Sequence, residues 1–202
     1  MLNAKSFMDV GMAFHGHKCP AMPLGLRAGV AAMNVLKVDR AQDKELYVIS
    51  ETGKSHAAGC FLDGIMTATG CTYGKSNIEK LYYNKMAFTL IDVATQRSVR
   101  VSLKPEFFGN MMQSPFVKQR QDGVLPQDVP AEIADPLIEK VLSIPETAFL
   151  EIGPITTTDF KPTKGIFTTA CCSRCGERVF SNKLVDSPDG KICLGCQAQD
   201  AA

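Results

Sequence analysis

The chain has no excess of charge of either sign, no long apolar run and very little histidine, and each shortage narrows what it can do. Its 22 basic side chains meet 21 acidic ones, for a formal net charge of +1. That balance gives no electrostatic case for nucleic acid or a membrane surface as partner. No apolar stretch approaches the roughly 18 residues that span a bilayer. The opening residues 1–9 carry no continuous apolar segment of the kind a secretory signal needs, so a cytoplasmic protein is expected. Histidine occurs only at positions 15, 17 and 56. Two of the three therefore fall in one short run, Phe14-His15-Gly16-His17-Lys18-Cys19-Pro20.

Cysteine, by contrast, is abundant. Eight cysteines in 202 residues imply either disulfides or metal thiolates, and spacing decides between them. Cys172-x2-Cys175 is followed after seventeen residues by Cys193-x2-Cys196, with Gly176, Gly190 and Gly195 beside the pairs. Each CxxC turn offers two thiolates from one knuckle, and zinc takes four in a tetrahedron. The segment is too poor in apolar residues to fold on a core of its own, so metal binding would supply its folding energy. A structural zinc site is the expectation. A closed four-thiolate site has no open position and is not expected to be catalytic. Arg174, Arg178, Lys183 and Lys191 are balanced by Glu177, Asp186 and Asp189, which makes packing or protein contact a better role than nucleic-acid binding. Cys171 adjoins this quartet as a bystander or an alternative donor.

The upstream residues carry different chemistry. In an extended segment His15, His17 and Cys19 would point the same way; in a helix only His15 and Cys19 would share a face. Cys60 supplies a second thiol from the start of the next glycine-flanked helix, where a thiolate is favoured. Asp63 lies on the same helical face as Cys60. One reading is a mixed nitrogen and thiolate metal site with an open position: His17, Cys19 and Cys60 as ligands, His15 as fourth ligand or support, and Asp63 orienting an imidazole or taking a proton. The metal would be a second transition metal, zinc among the candidates. The competing readings are a Cys–His nucleophile pair and a purely structural use. Cys71 is a further thiol with an apolar role equally open to it.

Gly70-Cys71-Thr72-Tyr73-Gly74-Lys75-Ser76 contains a Gly-Lys-Ser triplet but is no phosphate-binding loop, since its glycines enclose three residues and the loop needs four. Lys75 and Asn77 are nevertheless candidate cofactor-binding residues, against a solvated turn as the plainer reading.

The periodicities predict a short helix ahead of the His/Cys run, then a helix starting at Pro23. They predict a strand over 45–50, a helix over 59–70 ended by Gly70, and strands over 85–90 and 98–103. A further helix is expected within 105–125, another over 131–142 despite Pro136, and a strand or connector over 149–155. Gly25, Ala28, Gly29 and Ala32 on one helical face imply either close approach of a backbone or ligand or an ordinary tight helix contact. The order predicts an α+β fold with a mixed sheet packed by helices. Two domains are expected, 1–164 holding the His/Cys cavity and 165–202 holding the zinc finger.

These residues also have a family likeness. Phe14-His15-Gly16-His17, Cys19-Pro20, Leu24-Gly25, Arg27 and Gly29 resemble the opening motif of the formylmethanofuran dehydrogenase FmdE-like family. Glu51-Thr52, Cys60, Asp63-Gly64-Ile65 and Thr69-Gly70-Cys71-Thr72 with Gly74-Lys75 and Asn77 are similar to its second block, and Lys85-Met86-Ala87-Phe88-Thr89 to its third. The final cysteine module is similar to the finger many members carry. The resemblance spans residues 10–105 and 165–198. Ala21 departs from it, standing where the motif commonly has glycine. The family likeness implies homodimers with exchanged elements and a cavity lined by His17, Cys19 and Cys60 with His15 close by. Some family genes accompany the molybdenum or tungsten enzyme that makes formylmethanofuran, which implies an oxidoreductase complex as partner. Two functions follow: a metal-binding accessory protein or metal-dependent enzyme of unassigned substrate in such a system, or a non-catalytic dimeric scaffold that docks through its finger.

Overall fold

The structure is a computed structural model that describes residues 1–54 and 56–200, the side chain of His56 excepted. It divides into two compact units, Met1–Pro162 and Thr163–Ala202. Among the described residues no helix is long and apolar enough to cross a membrane.

The first unit is built around one buried helix. Helix α1 (Met8–His15) leads to α2 (Ala21–Leu36). Helix α2 starts two residues before the expected Pro23, with Pro20 at its cap. Pro23 is tolerated because the first four N–H groups of a helix have no intrahelical partner. Only Arg27, Asn34 and Val35 of α2 escape full burial. A helix apolar on every side must be covered on every side.

The sheet provides one cover. Strands β1 (Leu46–Ser50), β2 (Ile78–Lys80), β3 (Ala87–Asp92), β4 (Arg97–Leu103), β5 (Leu150–Ile152) and β6 (Thr156–Thr157) form a mixed sheet of order β2-β1-β3-β4-β5, with β6 also on β4. The β1–β2 pair is parallel and the remaining pairs are antiparallel. Leu46, Val48, Leu90, Val99 and Val101 join Leu24, Ala28 and Phe61 in the main core. Strand β2 escapes sequence reading because three residues carry no periodicity. The expected last strand is two short pieces along one edge of β4, separated at Gly153-Pro154-Ile155, where proline cannot donate to the ladder.

Helix α3 (His56–Thr69) covers α2 from another side. The two backbones touch. A Cβ on Gly25 would lie 1.8 Å from the Phe61 carbonyl oxygen, and one on Gly64 would lie 2.1 Å from that of Met22. The small-residue face of α2 is therefore a close backbone contact, one of the two readings its glycines allowed. The 105–125 segment forms two helices rather than one, α4 (Pro105–Met112) and α5 (Pro115–Gln121). Each begins with proline, and the Ser114 hydroxyl accepts from the Val117 N–H. Helix α6 (Ala131–Ser143) follows and packs on α2.

The second unit is two hairpins and a short helix: β7 (Thr169–Cys171) with β8 (Arg178–Phe180), β9 (Leu184–Ser187) with β10 (Gly190–Cys193), then α7 (Leu194–Gln199). Its core is Cys172, Ile192 and Cys196 with Leu184 and Val185 against them.

This packing sets apart two glycines. Gly25→Ala forces a Cβ into backbone and should cost about 3 kcal/mol or prevent folding. Gly59→Ala, whose Cβ would meet nothing within 4 Å, should be neutral or stabilise by up to about 1 kcal/mol. Urea unfolding of the two variants checks the contrast. Separately, Arg100 binds Glu51 at 2.6 and 2.9 Å and, beside it, Lys85 assists, holding the Glu51 carboxyl below its ordinary value. A lowered folded-state value stabilises above the unfolded one, about pH 4.5, and that stability is lost as pH falls through the folded value. Glu51→Gln should therefore flatten the loss of stability below about pH 4.5 in acid titration.

Candidate metal centres

The first site assembles where α1, α2 and α3 meet. His15 is the last residue of α1, and Gly16 reverses the chain in the left-handed region, φ 86°, with its N–H on the Met12 carbonyl. Glycine adopts that conformation without a Cβ penalty. The turn brings His17 back over His15, so the arrangement is neither the extended alternation nor the plain helix considered for the sequence. Cys19 follows just before α2 and is 2% exposed; Cys60, 4% exposed, comes from α3. The α2–α3 contact is what brings these last two together, because Phe61 adjoins Cys60 and Met22 lies three residues after Cys19.

The donor atoms converge. His15 Nε2 lies 3.1 Å from His17 Nε2 and 3.4 Å from Cys19 Sγ, and Cys60 Sγ lies 3.9 Å from His17 Nε2. One donor from each of His15, His17, Cys19 and Cys60 lies within 4.8 Å of every other. Tetrahedral zinc would separate nitrogen pairs by about 3.3 Å and nitrogen–sulfur pairs by about 3.6 Å. The observed spacings are close to these, and an imidazole–thiolate set suits a late transition metal. The residues present therefore fit such an ion.

Asp63 backs the cluster. Its Oδ2 lies 2.8 Å from His15 Nδ1. With the Nδ1 proton directed at the carboxylate, Nε2 presents a lone pair to the other donors. This is the support that a ligating imidazole commonly has. In the metal-free protein, burial works against the His15 imidazolium, but hydrogen bonds with Asp63 and Cys19 outweigh it and raise His15 to about 9. Hydrogen bonding from Cys60, helped by His15, holds Cys19 as a thiolate despite burial. The same Cys19 bond, with burial, pushes the Cys60 thiol up. This corrects the expectation that Cys60 gains from a helix N-terminus. Helix α3 begins at His56, so Cys60 sits a full turn inside it.

A cavity of about 170 Å³ lies against the sulfur pair, with residues of α4 and α5 forming part of its wall. Sequence reading did not connect that segment with the site; its Met111, Met112 and Phe116 were the available signal.

Lys75 and Asn77 lie in another place and do other work. Lys75 Nζ donates to the Ala41 and Gln42 carbonyls at 3.1 and 3.2 Å. The buried Asn77 amide donates to Asp43 and Leu46 carbonyls and accepts from the Thr72 N–H. These bonds latch the loop after α3 onto the α2–β1 connection. Cys71 is fully buried, and burial raises it to about 11, a quiet core residue.

In the second unit Cys172 and Cys196 sulfurs lie 3.9 Å apart and Cys175 and Cys193 sulfurs 4.0 Å apart. Tetrahedral zinc thiolates would stand about 3.8 Å apart, far beyond the about 2.05 Å of a disulfide. The Cys193 N–H points at Cys172 Sγ and the Cys196 N–H at Cys193 Sγ. These four could hold a metal ion together. Cys171 is exposed on β7 and outside the cluster.

A mixed-sheet α+β unit carrying a His2Cys2 group, with a separate four-cysteine module, defines a class of protein with metal-binding groups. The chain belongs to the FmdE family, described as molybdenum formylmethanofuran dehydrogenase operon, whose model matches residues 14–151. It is 29% identical over 198 residues to a probable S-adenosyl-L-methionine-binding protein of Archaeoglobus fulgidus, covering 91% of this chain and 50% of the relative. The chain thus spans about half the length of that relative. The fold is similar to the crystal structure of a tungsten formylmethanofuran dehydrogenase FmdE-like protein from Syntrophus aciditrophicus. That likeness has a TM-score of 0.59 and 22% identity, and covers 98% of this chain and 94% of the other.

Loss of the carboxylate support should loosen the first site alone. Asp63→Asn is expected to weaken its metal affinity about 10–100-fold and leave the four-cysteine site unchanged. Competition with a chromophoric chelator measures both.

Proposed function

We propose that this chain is a metal-binding accessory protein of a molybdenum or tungsten oxidoreductase system, with a transition metal held by His15, His17, Cys19 and Cys60. The observation that carries the reading is the convergence of two imidazoles and two thiols within 4.8 Å beside a carboxylate that aims one of them. Membership of a family named for the formylmethanofuran dehydrogenase operon supports the choice of partner. When bound, the metal would supply Lewis acidity only by taking a fifth ligand from the adjoining cavity or by releasing one of the four donors. Asp63 would hold the His15 tautomer, and the buried cysteines would keep the site partly dry.

In this reading residues 1–164 carry the site and residues 165–202 form a module closed around structural zinc by Cys172, Cys175, Cys193 and Cys196. The chain works as a homodimer in the cytoplasm. S-adenosyl-L-methionine, named for the Archaeoglobus relative, is a poor match to the cavity beside the sulfurs. Its volume of about 170 Å³ is below the about 300–1,000 Å³ of pockets for drug-sized ligands. A dimeric scaffold that docks only through the finger would leave the convergence of the first site without use.

Elemental analysis of purified protein tests the proposal. About two metals per chain are expected, one lost in Cys60→Ala and the other in Cys172→Ala. A single metal lost only in Cys172→Ala, with the first site refusing added zinc, cobalt or nickel, would reject it.

A further inference from the structure

The cavity against Cys19 and Cys60 has a composition that the metal site does not explain. Its walls include Met111, Met112 and Phe116 beside the two cysteines, and the one cationic side chain among its described lining residues is Arg120. Helix α4 buries none of its residues fully, and Met112 is 37% exposed. Flexible thioethers thus line one side of a space whose other side is the sulfur pair. Methionine adapts its shape to a bound apolar body. Arg120 Nη1 donates to the Val124 carbonyl, which fixes the guanidinium at the cavity. Its planar fork keeps further N–H donors, which match a carboxylate.

We propose that this cavity is the ligand subsite of the first metal centre, and that it takes a small organic anion with a short apolar body, selected by Arg120. The size sets the upper limit. A volume of about 170 Å³ equals about six water volumes at about 30 Å³ each. A carboxylate on a chain of four to six carbons, roughly, is of that scale. The body rests on Met111, Met112 and Phe116 and lies against Cys19 and Cys60. The inference rests on the metal-centre reading for its purpose, but the subsite itself is built from other residues.

Methionine-methyl NMR on the metal-loaded full chain tests it, with Met111→Leu and Met112→Leu used for assignment. Hexanoate is expected to shift both methyl signals and to bind at least about tenfold more tightly than hexanol, the scale of one charge-assisted hydrogen bond. Arg120→Gln should abolish that preference and Arg120→Lys should retain it, which separates charge from loop support. Equal binding of hexanoate and hexanol would overturn the proposal, as would shifts that follow protein concentration rather than probe, the mark of a second copy filling the cavity. Metal content is measured on the same samples. Bound metal without a shift rejects the subsite and keeps the metal centre; a shift without metal keeps the subsite and rejects the centre.

Discussion

The backbone contact between α2 and α3 is the constraint on which the rest of this molecule depends. Gly25 admits the Phe61 carbonyl and Gly64 admits that of Met22. No residue with a Cβ fits either place. The contact costs helix propensity at each glycine, about 1 kcal/mol relative to alanine. What it achieves is positional. Cys60 adjoins Phe61, and Cys19 lies just ahead of the first turn of α2, so the closest point of the two helices is also where the sulfurs meet. The sheet then fixes the other side of α2 through Leu24 and Ala28, and the site inherits the rigidity of the core.

Electrostatics completes what packing starts. Two buried thiols, two imidazoles and a carboxylate crowd one small region. Without metal, the crowding resolves into a Cys19 thiolate, a charged His15 and a protonated Cys60, each favoured by its neighbours. Binding a cation would displace those protons and replace a chain of hydrogen bonds with ligation. The four-cysteine module obeys a simpler rule. Its core is scarcely larger than its four cysteines, so metal binding there would be coupled to its folding.

Much of this was legible in the residues. The CxxC spacing identified the second cluster outright, and the His-x-His-x-Cys run identified the first. The small-residue face of α2 admitted a close contact, which it makes. Other features lay outside what pattern can carry. The three-residue strand β2 exists only because β1 is there to pair with it. The turn at Gly16 is a single dihedral choice, and it decides that His15 and His17 face one another. Lys75 and Asn77 stand in a glycine-bounded turn that the sequence left as either a ligand site or a solvated turn, and pattern could not show that the carbonyls of Ala41, Gln42, Asp43 and Leu46 engage them. Part of the cavity wall comes from α4 and α5, some fifty residues beyond Cys60, and no local signal joins them.

The most direct measurement is the metal K-edge absorption spectrum of the Cys172→Ala variant loaded with one equivalent of zinc or cobalt. With the four-cysteine site disabled, the account predicts a mixed shell, nitrogen near about 2.0 Å and sulfur near about 2.3 Å in equal measure. A shell of sulfur alone, or of oxygen alone, would contradict it.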